Sequence, residues 1–284
     1  MDRGKRMVIS QEKDIARHYT TDNLLEKIIT ALQADGKNKN SLNAKDLKGV
    51  DEFHTGGVQA TDDLLEQLTI SNKTRVLDIG CGIGGAARHI ATSTGAAVTG
   101  FDLTPEYVET ANALSEMVGL SAQTRFQIGS ALDMPITANS FDLATMFHVG
   151  MNIVDKPKLF REVARVIIPT GTFALFDIMQ TDGGDLGYPF PWAENAECSF
   201  VATPEEYTDA ATQAGFELLN ERNRREFTLE FFAKVFAMIK EKGAPPAVGI
   251  HLLMKETATQ KLQNYVVEVT AGKLAPFEMI FRKL

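Results

Sequence analysis

Apolar positions Ile15, Leu24, Leu25, Ile28, Ile29 and Leu32 recur at helical spacing and predict helix across 11–34, ending at Gly36. The polar run 36–46 reads as a loop, and 61–68 as a second short helix. From residue 74 the texture changes. Short β-branched and apolar runs at 75–79, 97–101, 124–128, 141–147, 172–178, 216–220 and 277–282 predict strands. Helical patterns fall between most of them, at 86–93, 104–118, 156–165, 203–214, 229–242 and 257–271. Thr104-Pro105 and Thr203-Pro204 supply cap and first-turn proline, while Pro169 and Gly171 close the helix at 156–165. Alternation at this spacing predicts an α/β fold, a doubly wound and mostly parallel sheet with helices on both faces. The expected division is a helical cap over 1–73, a core over 74–225, a helical insertion over 226–274 and a returning strand over 275–284 beside the sixth strand.

The net charge of −8 disfavours a nucleic-acid partner, because an acidic chain repels phosphate backbones. The run Arg222, Arg224, Arg225 is read as a solvated face, as are His18 and His89. Two cysteines supply neither a disulfide framework nor a four-ligand zinc site, so no metal is expected. No apolar stretch reaches about 18 residues, so no membrane insertion is expected. The start MDRGKRMVIS lacks the apolar centre of a signal peptide, and the expected location is cytoplasmic.

The chemistry concentrates in Val76-Leu77-Asp78-Ile79-Gly80-Cys81-Gly82-Ile83-Gly84-Gly85, a strand running through bare glycines into a helix. Gly80, Gly82 and Gly85 satisfy the dinucleotide pattern G-x-G-x-x-G, which keeps an NAD-dependent oxidoreductase open. Asp78 argues against it, since a carboxylate in the turn repels a pyrophosphate and welcomes a cation. Asp102 ends the second strand, placed for a ribose diol. A non-catalytic nucleotide-binding module is the third option.

VLDIGCGIGG, Asp102, GSALDMP at 129–135 and EVARVIIPTG at 162–171 together resemble the class I S-adenosylmethionine-dependent methyltransferases. The similarity is to the branch with ubiquinone/menaquinone C-methyltransferases, tocopherol methyltransferases and sarcosine/dimethylglycine N-methyltransferases, over residues 74–221. It implies a Rossmann-like seven-stranded sheet with an antiparallel last strand, and S-adenosyl-L-methionine as cofactor. It further implies that Asp78, Gly80, Cys81 and Gly82 face the methionine end, that Asp102 accepts the ribose hydroxyls, and that Leu103, Ser130, Ala131 and Leu132 flank adenine. Ser130 stands where the family often carries Asp. Phe147 would line the methyl-transfer end, and Tyr19 would close over the cofactor.

The acceptor residues are read from position at the ligand end of the sheet. His148 follows the fourth strand and His54 sits in Asp51-Glu52-Phe53-His54-Thr55-Gly56-Gly57; both are the catalytic candidates. Asn152 either orients an acceptor or caps a helix. Tyr188 and Trp192 lie in an aromatic loop whose faces attract methylated ammonium groups or pack an apolar ring. Glu194, Glu197 and His251 complete the substrate set. The stripe Phe227, Phe231, Phe232, Val235, Phe236, Ile239 reads as core or as the face of a homodimer, and Cys81 as a packing residue. The expected reaction is methyl transfer to a small amine of the sarcosine or dimethylglycine kind, with C-methylation of a quinone or prenylated ring as the alternative.

Overall fold

The computed structural model describes residues 3–254 and 257–284. The chain opens with helices α1 (Arg3–Tyr19), α2 (Leu24–Ala34), α3 (Lys48–Asp51) and α4 (Val58–Leu65). Strand β1 (Arg75–Ile79), α5 (Gly85–Thr94), β2 (Ala97–Asp102), α6 (Pro105–Met117), β3 (Thr124–Ile128) and β4 (Phe141–Phe147) follow. Then come α7 (Lys156–Val166), β5 (Ile167–Gln180), α8 (Pro204–Gln213) and β6 (Phe216–Asn223). Helices α9 (Arg225–Lys242), α10 (His251–Met254) and α11 (Ala258–Thr270) precede β7 (Leu274–Lys283).

Among the described residues the seven strands form one sheet in the order β3-β2-β1-β4-β5-β7-β6. The first five are parallel, and β7 runs antiparallel between β5 and β6. The expected doubly wound, mostly parallel fold and the return of the last strand beside the sixth are both present. Central strands are apolar on both faces because helices cover both, as in β1, where all but Arg75 are buried. One face packs Phe160, Phe173, Tyr207 and Phe281, the other Ile90, Phe126, Val98 and Phe176. Pro105 and Pro204 occupy the first turns as the sequence indicates, but Thr104 makes no side-chain hydrogen bond to the start of α6. Thr203 and Glu206 form a reciprocal capping box, and Asp155 accepts from Lys158 N at 2.9 Å.

Four local readings are corrected. The helix expected over 11–34 is two helices, broken where Asp22 and Asn23 take positive φ and where Glu106 of α6 accepts from Thr21 N (2.7 Å) and Leu24 N (2.9 Å). The short helix expected at 61–68 is α4, begun three residues earlier. Strand β5 begins at Ile167, directly after α7, so Pro169 and Gly171 lie within the strand. The arginine run is no solvated face: Arg222 and Arg224 both pair with buried Glu278, and Arg224 also with Asp63.

Candidate active site

The carboxyl ends of β1, β2 and β4 open into a cavity of about 710 Å³, within the range of small-molecule sites. Its floor is the glycine turn after β1. Gly80 (φ 68°) and Gly82 (φ 53°) hold left-handed backbone that side chains rarely adopt. A Cβ on Gly80 would lie 2.3 Å from Val149, whereas one on Gly82 would meet nothing within 4 Å. The turn is fixed to β2 by Gly80 N and Cys81 N, which both donate to Phe101 O (2.8 and 2.9 Å). Buried Cys81 packs its thiol beneath this floor against Gly100, the packing role expected for it.

Asp102 ends β2 with one carboxylate oxygen accepting from Gly82 N (2.9 Å) and the other from Thr104 N (2.8 Å). Leu103, Ser130, Ala131 and Leu132 continue the wall. Ser130 Oγ donates to Glu12 on α1, which places a carboxylate beside the position where the family often carries Asp. Asp78 is 2% exposed and accepts from Thr145 Oγ1 at 3.0 Å. Burial outweighs that donor and pushes its carboxyl up to about 7.

The two catalytic candidates meet at the far side of the turn, their rings 5.8 Å apart. His148 carries a positive φ of 52° and donates its backbone N–H to Phe176 O at 2.7 Å. Its ring packs on Phe176 at 4.8 Å, and its Nε2 is buried without a hydrogen-bond partner among the described residues. Burial first, and the nearby His54 second, hold its imidazole well below the ordinary histidine value. His54 differs. Its ring stacks on Phe147 at 5.1 Å, its Nδ1–H donates to Thr55 O (3.2 Å), and its Nε2 faces Glu52 Oε2 at 2.6 Å. Both ring nitrogens of His54 are engaged, whereas Nε2 of His148 is buried without a partner among the described residues.

Tyr19 reaches across from α1 and donates to Asn152 Oδ1 at 3.2 Å. Asp155, and not Asn152, caps α7. Trp192 is buried in the cavity wall with its Nε1 donating to Ser199 Oγ (3.0 Å), and His251 lines the same cavity. Tyr188 lies outside this wall and packs on Phe190 at 4.7 Å. Glu194 pairs with Lys261 (2.5 Å) and Glu197 is exposed, so neither glutamate faces the cavity. The phenylalanine stripe is neither plain core nor an outer face. Phe231, Phe232, Val235, Phe236 and Ile239 line the cavity, and Phe227 packs over Gly56. The two histidines read as solvated are engaged, His18 with Pro191 O (3.0 Å) and His89 with Asp62 (2.5 Å).

This sheet order, with a glycine turn and an acidic strand end at the mouth of one cavity, defines the Rossmann-like methyltransferase fold. Residues 77–175, which hold the glycine turn and Asp102, match the family described as "Methyltransferase domain". The methyltransferase GfsG of Streptomyces halstedii is 32% identical over 134 residues, 47% of this chain and 48% of that protein. Ajmaline N-methyltransferase of Rauvolfia serpentina is 36% identical over 107 residues, 38% of this chain and 37% of that protein. The matched stretches thus span about half or less of these curated relatives. Among solved structures, geranyl diphosphate C-methyltransferase from Streptomyces coelicolor A3(2) superposes with a TM-score of 0.71 at 15% identity, covering 96% of this chain and 98% of that one. The shared fold therefore extends beyond the sequence match, and the dinucleotide reading of the glycine pattern has no support beyond the pattern itself.

Proposed function

We propose that this protein is an S-adenosylmethionine-dependent methyltransferase whose acceptor is a largely apolar small molecule bearing a protonated nucleophile. One observation carries the acceptor half of this reading: His148, whose buried Nε2 has no partner among the described residues, lines the same cavity as the glycine turn and the phenylalanines of α9. The residues present fit the cofactor. Gly80 and Gly82 leave the turn bare, and Asp102 offers a carboxylate at a strand end, where ligands of open α/β sheets bind. Asp78 and Glu52 give the methionine end an acidic surround. When bound, S-adenosylmethionine supplies an activated methyl group for in-line displacement.

The chain's own residues do the rest. Phe147, His54 and Tyr19 line the cavity and exclude water around the donor. Trp192, Phe231, Phe232 and Tyr265 shape the acceptor space. Fixing the two partners in attack geometry is worth up to about 7–11 kcal/mol of barrier. His148 Nε2, neutral near pH 7, takes the proton from the acceptor nucleophile.

A small amine is the second reading, favoured by His148 and by the buried face of Trp192; the glutamates that supported it from sequence do not reach the cavity. Calorimetric titration with S-adenosylmethionine and S-adenosylhomocysteine tests the cofactor assignment. Micromolar-range binding of both is expected, on the order of −8 kcal/mol. Absence of heat and of thermal stabilisation would overturn it. Turnover on paired panels of prenylated rings and of sarcosine-like amines then separates the two acceptor readings.

A further inference from the structure

Glu52 holds an acceptor that the chain itself leaves unused. Its side chain is 2% exposed and lines the cavity. One oxygen, Oε2, accepts from His54 Nε2 (2.6 Å) and from Thr61 Oγ1 (2.9 Å). The other, Oε1, is buried with no hydrogen-bond partner among the described residues. His54 and Thr61 fix how the carboxylate is turned, and stacking on Phe147 fixes His54 in turn. Burial pushes the Glu52 carboxyl up, but the hydrogen bond and charge of His54, the hydrogen bond of Thr61 and the charge of His89 together hold it below its ordinary value, so it is ionised. An ionised oxygen buried without a donor is unfavourable, and a ligand that brings N–H groups to it recovers that loss.

The position says which ligand group this is. Segment 51–55 begins against the first residue of α5, where the glycine turn ends: a Cβ on Gly85 would sit 1.9 Å from Asp51 O. Asp78, beneath that turn, lines the same cavity and feels the charge of Glu52. Resting on the methyltransferase reading above, we propose that Glu52 Oε1 accepts a hydrogen bond from the α-ammonium of the methyl donor, with Asp78 as the neighbouring anion. Glu52 is then a cofactor-binding residue contributed by the cap rather than by the sheet, and the cap reads the amino-acid end of the donor.

Calorimetry on the full chain tests this with three probes: S-adenosylmethionine, S-adenosylhomocysteine, and 5′-methylthioadenosine, which keeps the nucleoside and sulfur but lacks the amino acid. In Glu52→Gln, both amino-acid-bearing probes should weaken by about 10–100-fold, while 5′-methylthioadenosine changes by less than about twofold. Equal weakening of all three, or no weakening, overturns the assignment. Weakening of S-adenosylmethionine alone also overturns it, because the partner would then be the sulfonium. Should Glu52→Gln fold poorly, Glu52→Asp, which keeps the charge but withdraws the oxygen by one methylene, is read with the same probes and the same expected order. Failure of the wild-type chain to bind S-adenosylmethionine overturns both readings; binding by wild type with any overturning pattern removes only the role of Glu52.

Discussion

His148 shows how one backbone conformation sets up a base. Its left-handed φ lets the chain turn sharply off β4 while its N–H stays tied to Phe176 O. The ring is thereby laid on Phe176, with Nε2 left without a partner among the described residues. Because the folded value lies well below the ordinary histidine range, the imidazole is already neutral near pH 7 and charges only when pH falls through that lowered value. The acid limb of kcat/KM is therefore expected below about pH 6.5. His148→Gln should reduce kcat by about 10²–10⁴-fold, remove that limb, and leave S-adenosylmethionine affinity unchanged in a direct titration. The candidate was legible in sequence because His148 follows an apolar strand in a fold whose ligands bind at strand ends. Glu12 was not, because its contact is with Ser130, far along the chain, and Glu52 was not, because no local pattern shows which of its oxygens His54 and Thr61 leave unpaired.

At the scale of elements, the helices before β1 are short pieces seated by an apolar cluster and by a buried ion pair. Buried Arg88 on α5 pairs with Asp51 at the end of α3 and donates to Ser115 Oγ (3.2 Å) and Ala111 O (3.3 Å) on α6. This pins segment 51–55 against the start of α5, where the absence of a side chain at Gly85 lets the backbones touch. Gly85→Ala puts a Cβ into Asp51 O, a backbone atom that cannot give way without moving the segment. Its expected effect is an S-adenosylmethionine affinity lowered by at least about tenfold, with far-ultraviolet circular dichroism unchanged. An unchanged affinity would mean that the cap is not part of the cofactor site. Long-range contacts of this kind also mark where sequence reading stops. The strands and α6 are legible because apolar runs and the Thr104-Pro105 start are local signals. The break between α1 and α2 is not, because no glycine or proline marks it and its cap is Glu106, more than 80 residues away. The phenylalanine stripe was seen, but helical spacing cannot tell a cavity wall from a core; only the sheet beneath α9 decides that.

Across the whole molecule, burial holds carboxyls in their protonated form, and at Asp78, which lines the cavity, a bound cation would favour ionisation. Burial pushes Asp78 up to about 7 and Asp177 up to about 6. A carboxyl whose folded value is raised keeps its proton where the unfolded chain has lost it. Its contribution is full below the ordinary carboxylate value and disappears as pH rises through the folded value. For Asp78, the window from about pH 6 to about pH 8 therefore removes on the order of 1 kcal/mol of stability from the ligand-free protein. Asp177 has mostly lost its contribution before that window ends. His148 works the other way, since its lowered value favours the folded state increasingly up to the ordinary histidine range, so the two partly cancel in the wild type. The Asp78→Asn variant isolates the carboxyl. Relative to wild type, its unfolding free energy in urea should rise by on the order of 1 kcal/mol between those two pH values. The sign reverses for binding. A donor carrying ammonium and sulfonium favours ionised Asp78, so wild-type affinity for S-adenosylmethionine should tighten as pH rises through about 7 while that of Asp78→Asn stays flat. A wild-type affinity that does not change across this range would mean that Asp78 does not face the cationic end of the donor.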